Sequence, residues 1–189
     1  MPAAERAASE SHHASAAARE AGETGAEQLP LEAGERYMLL LTGEVTPVDM
    51  EPGIQVAPFQ ERFTLDGQGV AQVRFIHGAS FTQIYVGAVT DGEIKEADVL
   101  TAPIAWRSES QEQTLPEGSY VLGAADAGIP FAPPLSPLVT FDAGVPAGAR
   151  LWGVVTGDPS IDDGDDQFLQ VMIVNTAEPG WSIALIDVN

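Results

Sequence analysis

Two stretches of this chain read as variants of one segment. Arg36 and Arg150 each stand six residues before a Thr-Gly pair, Thr42-Gly43 and Thr156-Gly157. Both intervals are mostly apolar: Tyr37-Met38-Leu39-Leu40-Leu41 and Leu151-Trp152-Gly153-Val154-Val155. Ahead of the arginines, Leu31-Glu32-Ala33-Gly34 is matched with Phe141-Asp142-Ala143-Gly144, which leaves Val145 to Gly148 as an insertion before Arg150. Beyond Thr-Gly, Ile54-Gln55-Val56 corresponds loosely to the run from Phe168 to Val174, and Gly69 to His77 to Gly180 to Val188. Self-similarity at a fixed offset marks a chain built from repeated units, which points first to a β-rich scaffold or binding array. The chain holds the last strands of one module, a whole second module and a closing strand, so it is expected to be a piece of a longer protein.

From Leu31 onward, short apolar runs are separated by Gly, Pro, Asp and Asn. Predicted strands are Arg36 to Val45, Ile54 to Phe63, Val70 to His77, Thr82 to Val89, Glu93 to Leu100, Ser119 to Ala124, Leu138 to Phe141, Ala149 to Gly157, Phe168 to Asn175 and Trp181 to Val188. Asp66-Gly67, Asp91-Gly92, Glu117-Gly118 and Pro179-Gly180 punctuate them, and no long stretch carries a 3.6-residue period. That spacing predicts an all-β sandwich or barrel. Val73, Phe75 and His77 alternate with Gln72, Arg74 and Ile76, as in a sheet with one face toward the core. The Pro-rich segment from Ile129 to Pro137 reads as a covering loop or an extended edge, because proline removes ladder donors.

Residues 1–30, rich in Ala, Glu and Ser, carry five glutamates and no aromatic residue. They cannot bury enough apolar surface to offset the cost of ordering, so a disordered or partly helical tail is expected. Residues 31–69 are then the end strands of a first repeat, packed on the main domain, and residues 70–189 the sandwich itself.

Composition removes several functions. Without cysteine there is neither a disulfide framework nor a thiolate metal site. A net charge of −20, from 28 acids against 8 bases, disfavours nucleic acid and anionic membranes, which need clustered Lys and Arg. It is compatible with a saline habitat, though a GC-rich genome would equally deplete lysine, of which Lys95 is the sole example. No run of 18 apolar residues spans a membrane, and residues 1–30 lack the parts of a secretory signal.

With Val73-Arg74-Phe75-Ile76-His77 followed by Ile84-Tyr85-Val86-Gly87, the second module resembles the bacterial and archaeal family called domain of unknown function 4397. There an Arg-apolar-apolar-His strand end precedes an Asp-apolar-Tyr-apolar strand. Leu115-Pro116-Glu117-Gly118-Ser119-Tyr120 is similar to the family's Leu-Pro-Ala-Gly-Thr-Tyr strand entry, and Phe141-Asp142-Ala143-Gly144 with Thr156-Gly157 to its closing strands. The likeness covers about residues 70–175. The loop between His77 and Ile84 is shorter than usual and lacks its Ser-Pro-Asp, Gln83 stands where Asp is common, and Val145 to Gly148 are inserted before Arg150. The resemblance implies an immunoglobulin-like or transthyretin-like sandwich, found in secreted or cell-envelope proteins and often in tandem, with no enzymatic activity attached.

Standard catalytic signatures are missing, including Gly-x-Ser-x-Gly, His-Glu-x-x-His and the phosphate and dinucleotide glycine loops. Outside the tail the one histidine is His77, expected to fix a turn at a strand end. An enzymatic reading would need an acid pair such as Asp142 and Asp158. The sharpest local feature is the run from Asp158 to Asp166, in which Asp158, Asp162, Asp163, Asp165 and Asp166 offer the hard oxygen ligands of calcium. Its spacing is not that of an EF-hand, and the plainer reading is a solvated hairpin loop. Of the aromatic residues Tyr85, Trp106, Tyr120, Trp152 and Trp181, Trp106 is the candidate for an exposed sugar-stacking surface, the others being expected in the core. The expectation is thus a non-catalytic extracytoplasmic module, without a cofactor, that meets other protein domains or cell-surface components. The alternative is a calcium- or carbohydrate-binding module.

Overall fold

The computed structural model describes residues 29, 31–43, 54–64, 69–79, 83–127, 131–158, 169–177, 181–186 and 188. Their regular structure is β, with no α-helix, so the chain is all-β and the expected tail lies outside the described residues. A hairpin joins β1 (Tyr37–Thr42) and β2 (Gln55–Gln60). The other strands are β3 (Val70–His77), β4 (Gln83–Ala88), β5 (Ile104–Ala105), β6 (Ser108–Glu109), β7 (Gln113–Pro116), β8 (Gly118–Asp126), β9 (Val139–Val145), β10 (Arg150–Thr156), β11 (Gln170–Asn175) and β12 (Ser182–Ile186). A large sheet runs β12-β11-β10-β3-β6, with β7 pairing farther along β3, and a small sheet runs β5-β4-β8-β9.

The two sheets pack as a β-sandwich. Ala71, Val73 and Phe75 of β3, Leu151 and Val155 of β10 and Val171 of β11 meet Ile84, Val86, Leu122, Ala124, Val139 and Phe141 of the small sheet. A second core lies on the opposite face of the large sheet, where Ile76, Trp152, Val154 and Val174 meet Leu40, Ala57 and Phe59 of the hairpin and Phe63 beyond it. The large sheet is therefore covered on both faces. This is why β10 is buried from Leu151 to Val155 and reads as a nearly unbroken apolar run. It also corrects the one-faced reading of β3, since Ile76, on the side assigned to solvent, is fully buried beneath the hairpin.

The repeat is visible in the backbone and corrects the alignment made from sequence. Leu31–Gly34 corresponds to Val145–Gly148, with no insertion. Glu35 N donates to Glu32 O at 3.3 Å and Ala149 N to Pro146 O at 3.2 Å, and Gly34 and Gly148 both take positive φ, 92° and 71°. Ala33-Gly34 and Ala147-Gly148 thus make the same tight turn, whose left-handed position favours glycine. The strands that follow end alike, with Gly43 and Gly157 both at φ 101°. Each then returns antiparallel, Thr42 opposite Gln55 and Thr156 opposite Gln170.

Glu93 to Leu100 is not a strand. Asp91 and Gly92, at φ 57° and 82°, reverse the chain between Thr90 and Glu93. Ile94 then bridges Leu135, and Glu96–Asp98 forms a 3-10 turn whose polar residues suit no pleated face. The segment lies against the small sheet together with the Pro-rich run, which covers it as expected: Ile94 sits over Gly87, and Pro137 over Gly123. A Cβ at Gly87 would stand 2.4 Å from Ile94 Cγ2 and 2.8 Å from the Asp98 carbonyl oxygen. Gly87→Ala is expected to lower unfolding free energy by about 1–3 kcal/mol in urea melts, because backbone must move. Gly144→Ala, with nothing within 4 Å of the new carbon, is the matched control.

Strands β5, β6 and β7 escape sequence reading because they are only two to four residues long, too short to show an alternation. Strand β5 pairs with β4 at the edge of the small sheet, β6 and β7 carry the chain along the edge of β3, and at Glu117 it crosses back to the small sheet, where Tyr120 Oη donates to Pro116 O at 2.8 Å.

Candidate functional site

Beyond the tail the chain has five arginines, and each one is engaged at the hairpin or on the chain leaving it. Arg36 and Arg150, equivalent positions of the two repeats, converge on one carboxylate. Glu61 Oε2 lies 2.5 Å from Arg36 Nη2 and Glu61 Oε1 lies 3.4 Å from Arg150 Nη1. The Glu61 side chain is only 6% exposed. A carboxylate so enclosed is tolerable only where cations face it, and two guanidinium groups do so here. Arg150 also donates through Nη2 to the Thr176 carbonyl at 3.3 Å.

The other arginines secure the hairpin's exit and entry. Arg74, projecting from β3 on the hairpin side, donates to Arg62 O at 2.6 Å, pairs with Glu109 at 3.1 Å and lies 5.4 Å from the Phe63 ring centroid. Glu112 completes this cluster, accepting from Thr64 N at 2.9 Å and from its hydroxyl. Arg107 sits in the turn between β5 and β6 at φ 59°. It donates to the Gln55 side chain and to Val56 O at 3.0 Å, occupying a carbonyl of β2. Arg62 Nε donates to Gln60 Oε1 at 2.5 Å. A planar guanidinium fork, never deprotonated, suits such multipoint contacts.

Between these polar rims lies an aromatic centre. Trp152 is fully buried, its ring centroid 5.4 Å from Phe63 and 5.3 Å from Trp181, over which Arg36 lies at 5.7 Å. Offset and edge-on ring contacts of this kind add to simple burial. The arrangement joins two segments of the chain through their equivalent faces: Met38 and Leu40 of the first repeat against Trp152 and Val154, their counterparts in the second.

The residues singled out from sequence are distributed elsewhere. Asp158 follows β10, half-buried, while Asp162, Asp163, Asp165 and Asp166 lie outside the described residues. Among the described residues, no three His, Asp or Glu side chains are grouped closely enough to share a metal. Trp106 is half-buried rather than open, with the Arg107 guanidinium 5.5 Å over its ring. Tyr85 stacks on Phe131 at 5.1 Å, Trp181 is half-buried, and His77 is fully buried at the end of β3, its carbonyl accepting from Arg107 N at 2.7 Å. Asp142 projects from β9 of the small sheet beside a surface depression lined by Ser119, Tyr120 and Val121, whereas Asp158 lies two residues beyond β10 of the large sheet. Among the described residues, no helix is long and apolar enough to cross a membrane.

Glu61, Arg74 and Arg107 were not singled out from sequence. The matching arginines of the repeat pointed toward this junction, but nothing distinguishes Glu61 from the other acids until β2 and β10 are brought together. No protein-family model matches the chain, and no curated protein matches it.

Proposed function

We propose that the chain is a non-catalytic, extracytoplasmic β-sandwich module with a structural or protein-interaction role in a larger protein of repeated units. The observation that carries this reading is the junction itself, where strands of one repeat close over the sheet of the next through an aromatic core rimmed by arginine pairs. Repeat proteins gain stability from such neighbour interfaces, and the junction gives two units one relative orientation. The resemblance of residues 70–175 to domain of unknown function 4397 supports the extracytoplasmic setting.

Two measurements test it. A screen against glycosidase and esterase substrates is expected to give no turnover, and turnover abolished by Asp142→Asn or Asp158→Asn would overturn the reading. In a thermal melt, excess calcium against EDTA is expected to leave Tm unchanged. A calcium site held at 100 times its Kd would add about 2.7 kcal/mol and raise Tm by roughly 5–10 °C. Such a rise, lost on changing Asp162, Asp163, Asp165 and Asp166 to Asn, would make this a calcium-dependent module instead.

A further inference from the structure

The two hairpins of the repeat differ in what covers them. In β10 and β11, Leu151, Gly153, Val155, Val171 and Ile173 face the small sheet, and Val155 and Val171 are fully buried. The registers place Tyr37, Leu39 and Leu41 of β1, with Val56 and Pro58 of β2, at the equivalent positions, the second loop being one residue longer. Here the two leucines of that face stand open, Leu39 at 47% and Leu41 at 64% exposed, while Tyr37, Val56 and Pro58 are half-buried. Ile54, which leads into β2, behaves likewise: it is 39% exposed where its counterpart Leu169 is 1%. The edge of β1 differs in the same way, because β10 pairs along that edge with β3, in parallel, while among the described residues β1 pairs with β2 alone.

We propose that the Leu39–Leu41 face of the hairpin is the interior face of a second sandwich, and that a further unit of this repeat completes it. This rests on reading the chain as an interaction module. The occupant supplies a sheet like β5-β4-β8-β9 over the face and a strand like β3, parallel, beside β1. Neighbouring leucines exposed at positions that are interior in the second hairpin mark a contact face on a chain of net charge −20, and stacked repeats bury such faces against neighbours. Residues 1–30 cannot serve, since they lack the apolar alternation of a strand. Nor does a second copy fit, because its own small sheet already covers β10 and β11.

The pairing also specifies the occupant. Opposite Phe75 in the β3 ladder stands Gly153, and a Cβ there would lie 2.8 Å from the Phe75 ring. In β1 the equivalent position is Leu39. The incoming strand must therefore carry a small residue where β3 carries Phe75, a Leu-with-Ala pair replacing Gly-with-Phe.

Because the chain has no cysteine, a single introduced thiol reports the face cleanly. In the full chain carrying Leu41→Cys, a copy of residues 69–144 is inserted between Pro30 and Leu31, its Phe75 changed to Ala. That join keeps the register in which Val145 corresponds to Leu31. The expected result is a thiol that reacts with a disulfide reagent at least about tenfold more slowly than in the uninserted chain, as burial demands local opening before reaction. Val121→Cys, exposed on the small sheet, is expected to react equally in both. An insert that keeps Phe75 should protect less. Equal reactivity of the Leu41→Cys thiol with a folded insert overturns the proposal and leaves the scaffold reading standing, whereas turnover in the substrate screen overturns that reading instead. An insert that stays unfolded also overturns the proposal, since β1 and β2 are then unable to complete it. So does protection in the uninserted chain that vanishes on dilution, which would make a second copy the occupant.

Discussion

Trp152→Ala is expected to lower the unfolding free energy by about 3–5 kcal/mol, among the largest losses available to a single substitution in this chain. Its ring is fully buried at the centre of the second core, in contact with Phe63 and Trp181 and beneath the hairpin residues Leu40 and Phe59. Removing it leaves a cavity between two layers, and neither can collapse into it without breaking strand register. For a domain of this size the corresponding fall in Tm is roughly 6–20 °C. Trp181→Ala, from a half-buried position at the rim, is expected to cost clearly less. Urea melts of the full chain decide the matter. A loss from Trp152→Ala below about 1 kcal/mol would mean that the hairpin is not seated on the large sheet in solution, because a tryptophan truncated beneath an intact layer costs several times more.

The second large effect is expected at Glu61. Truncating it to Ala leaves the Arg150 guanidinium, itself only 21% exposed, facing a site built for an anion. Breaking a buried pair from one side costs about 3–5 kcal/mol, and the exposure of Arg36 reduces this to about 2–3 kcal/mol here. The shared carboxylate gives the more discriminating test. Arg150→Ala in a Glu61→Ala background should cost less than in the native chain, with a coupling of about 0.5–3 kcal/mol. Strictly additive losses would show that the contact contributes nothing specific. Arg36→Ala, made at a 47% exposed side chain, is expected to have the smaller effect of the two arginines.

How much of this was written legibly in the residues depends on the range of the interactions. Strand β3 was bounded correctly because Val73 and Phe75 alternate with Gln72 and Arg74 and glycines close both ends, all local signals. The all-β class followed from the same kind of pattern, which left sandwich and barrel both open. What alternation along one strand cannot carry is a third layer: Arg74 and Ile76 look outward until the hairpin is laid over them. The reading of Glu93 to Leu100 failed because an apolar residue at each end suggested a strand, whereas the middle, Lys95 to Asp98, turns across the sheet. The repeat was the most far-reaching clue, yet its first four positions were set against Phe141–Gly144 by residue likeness. The backbone sets them against Val145–Gly148, since what is repeated there is a glycine turn and not a set of side chains. The carboxylate on which both arginines depend was not legible at all, being one acid among 28.

That carboxylate gives the junction a polarity. At the position equivalent to Glu61 the second repeat has Thr176, each following its hairpin's second strand and each donating its N–H to the carbonyl of the matching arginine. Two hairpins of the first kind set back to back would confront a pair of enclosed carboxylates, and two of the second kind a pair of guanidinium groups with no anion between them. Only unlike partners neutralise each other, and here both belong to one chain, so the contact is satisfied within it and leaves neither face free for another copy. Whatever larger object these repeats build, this joint closes once and stops.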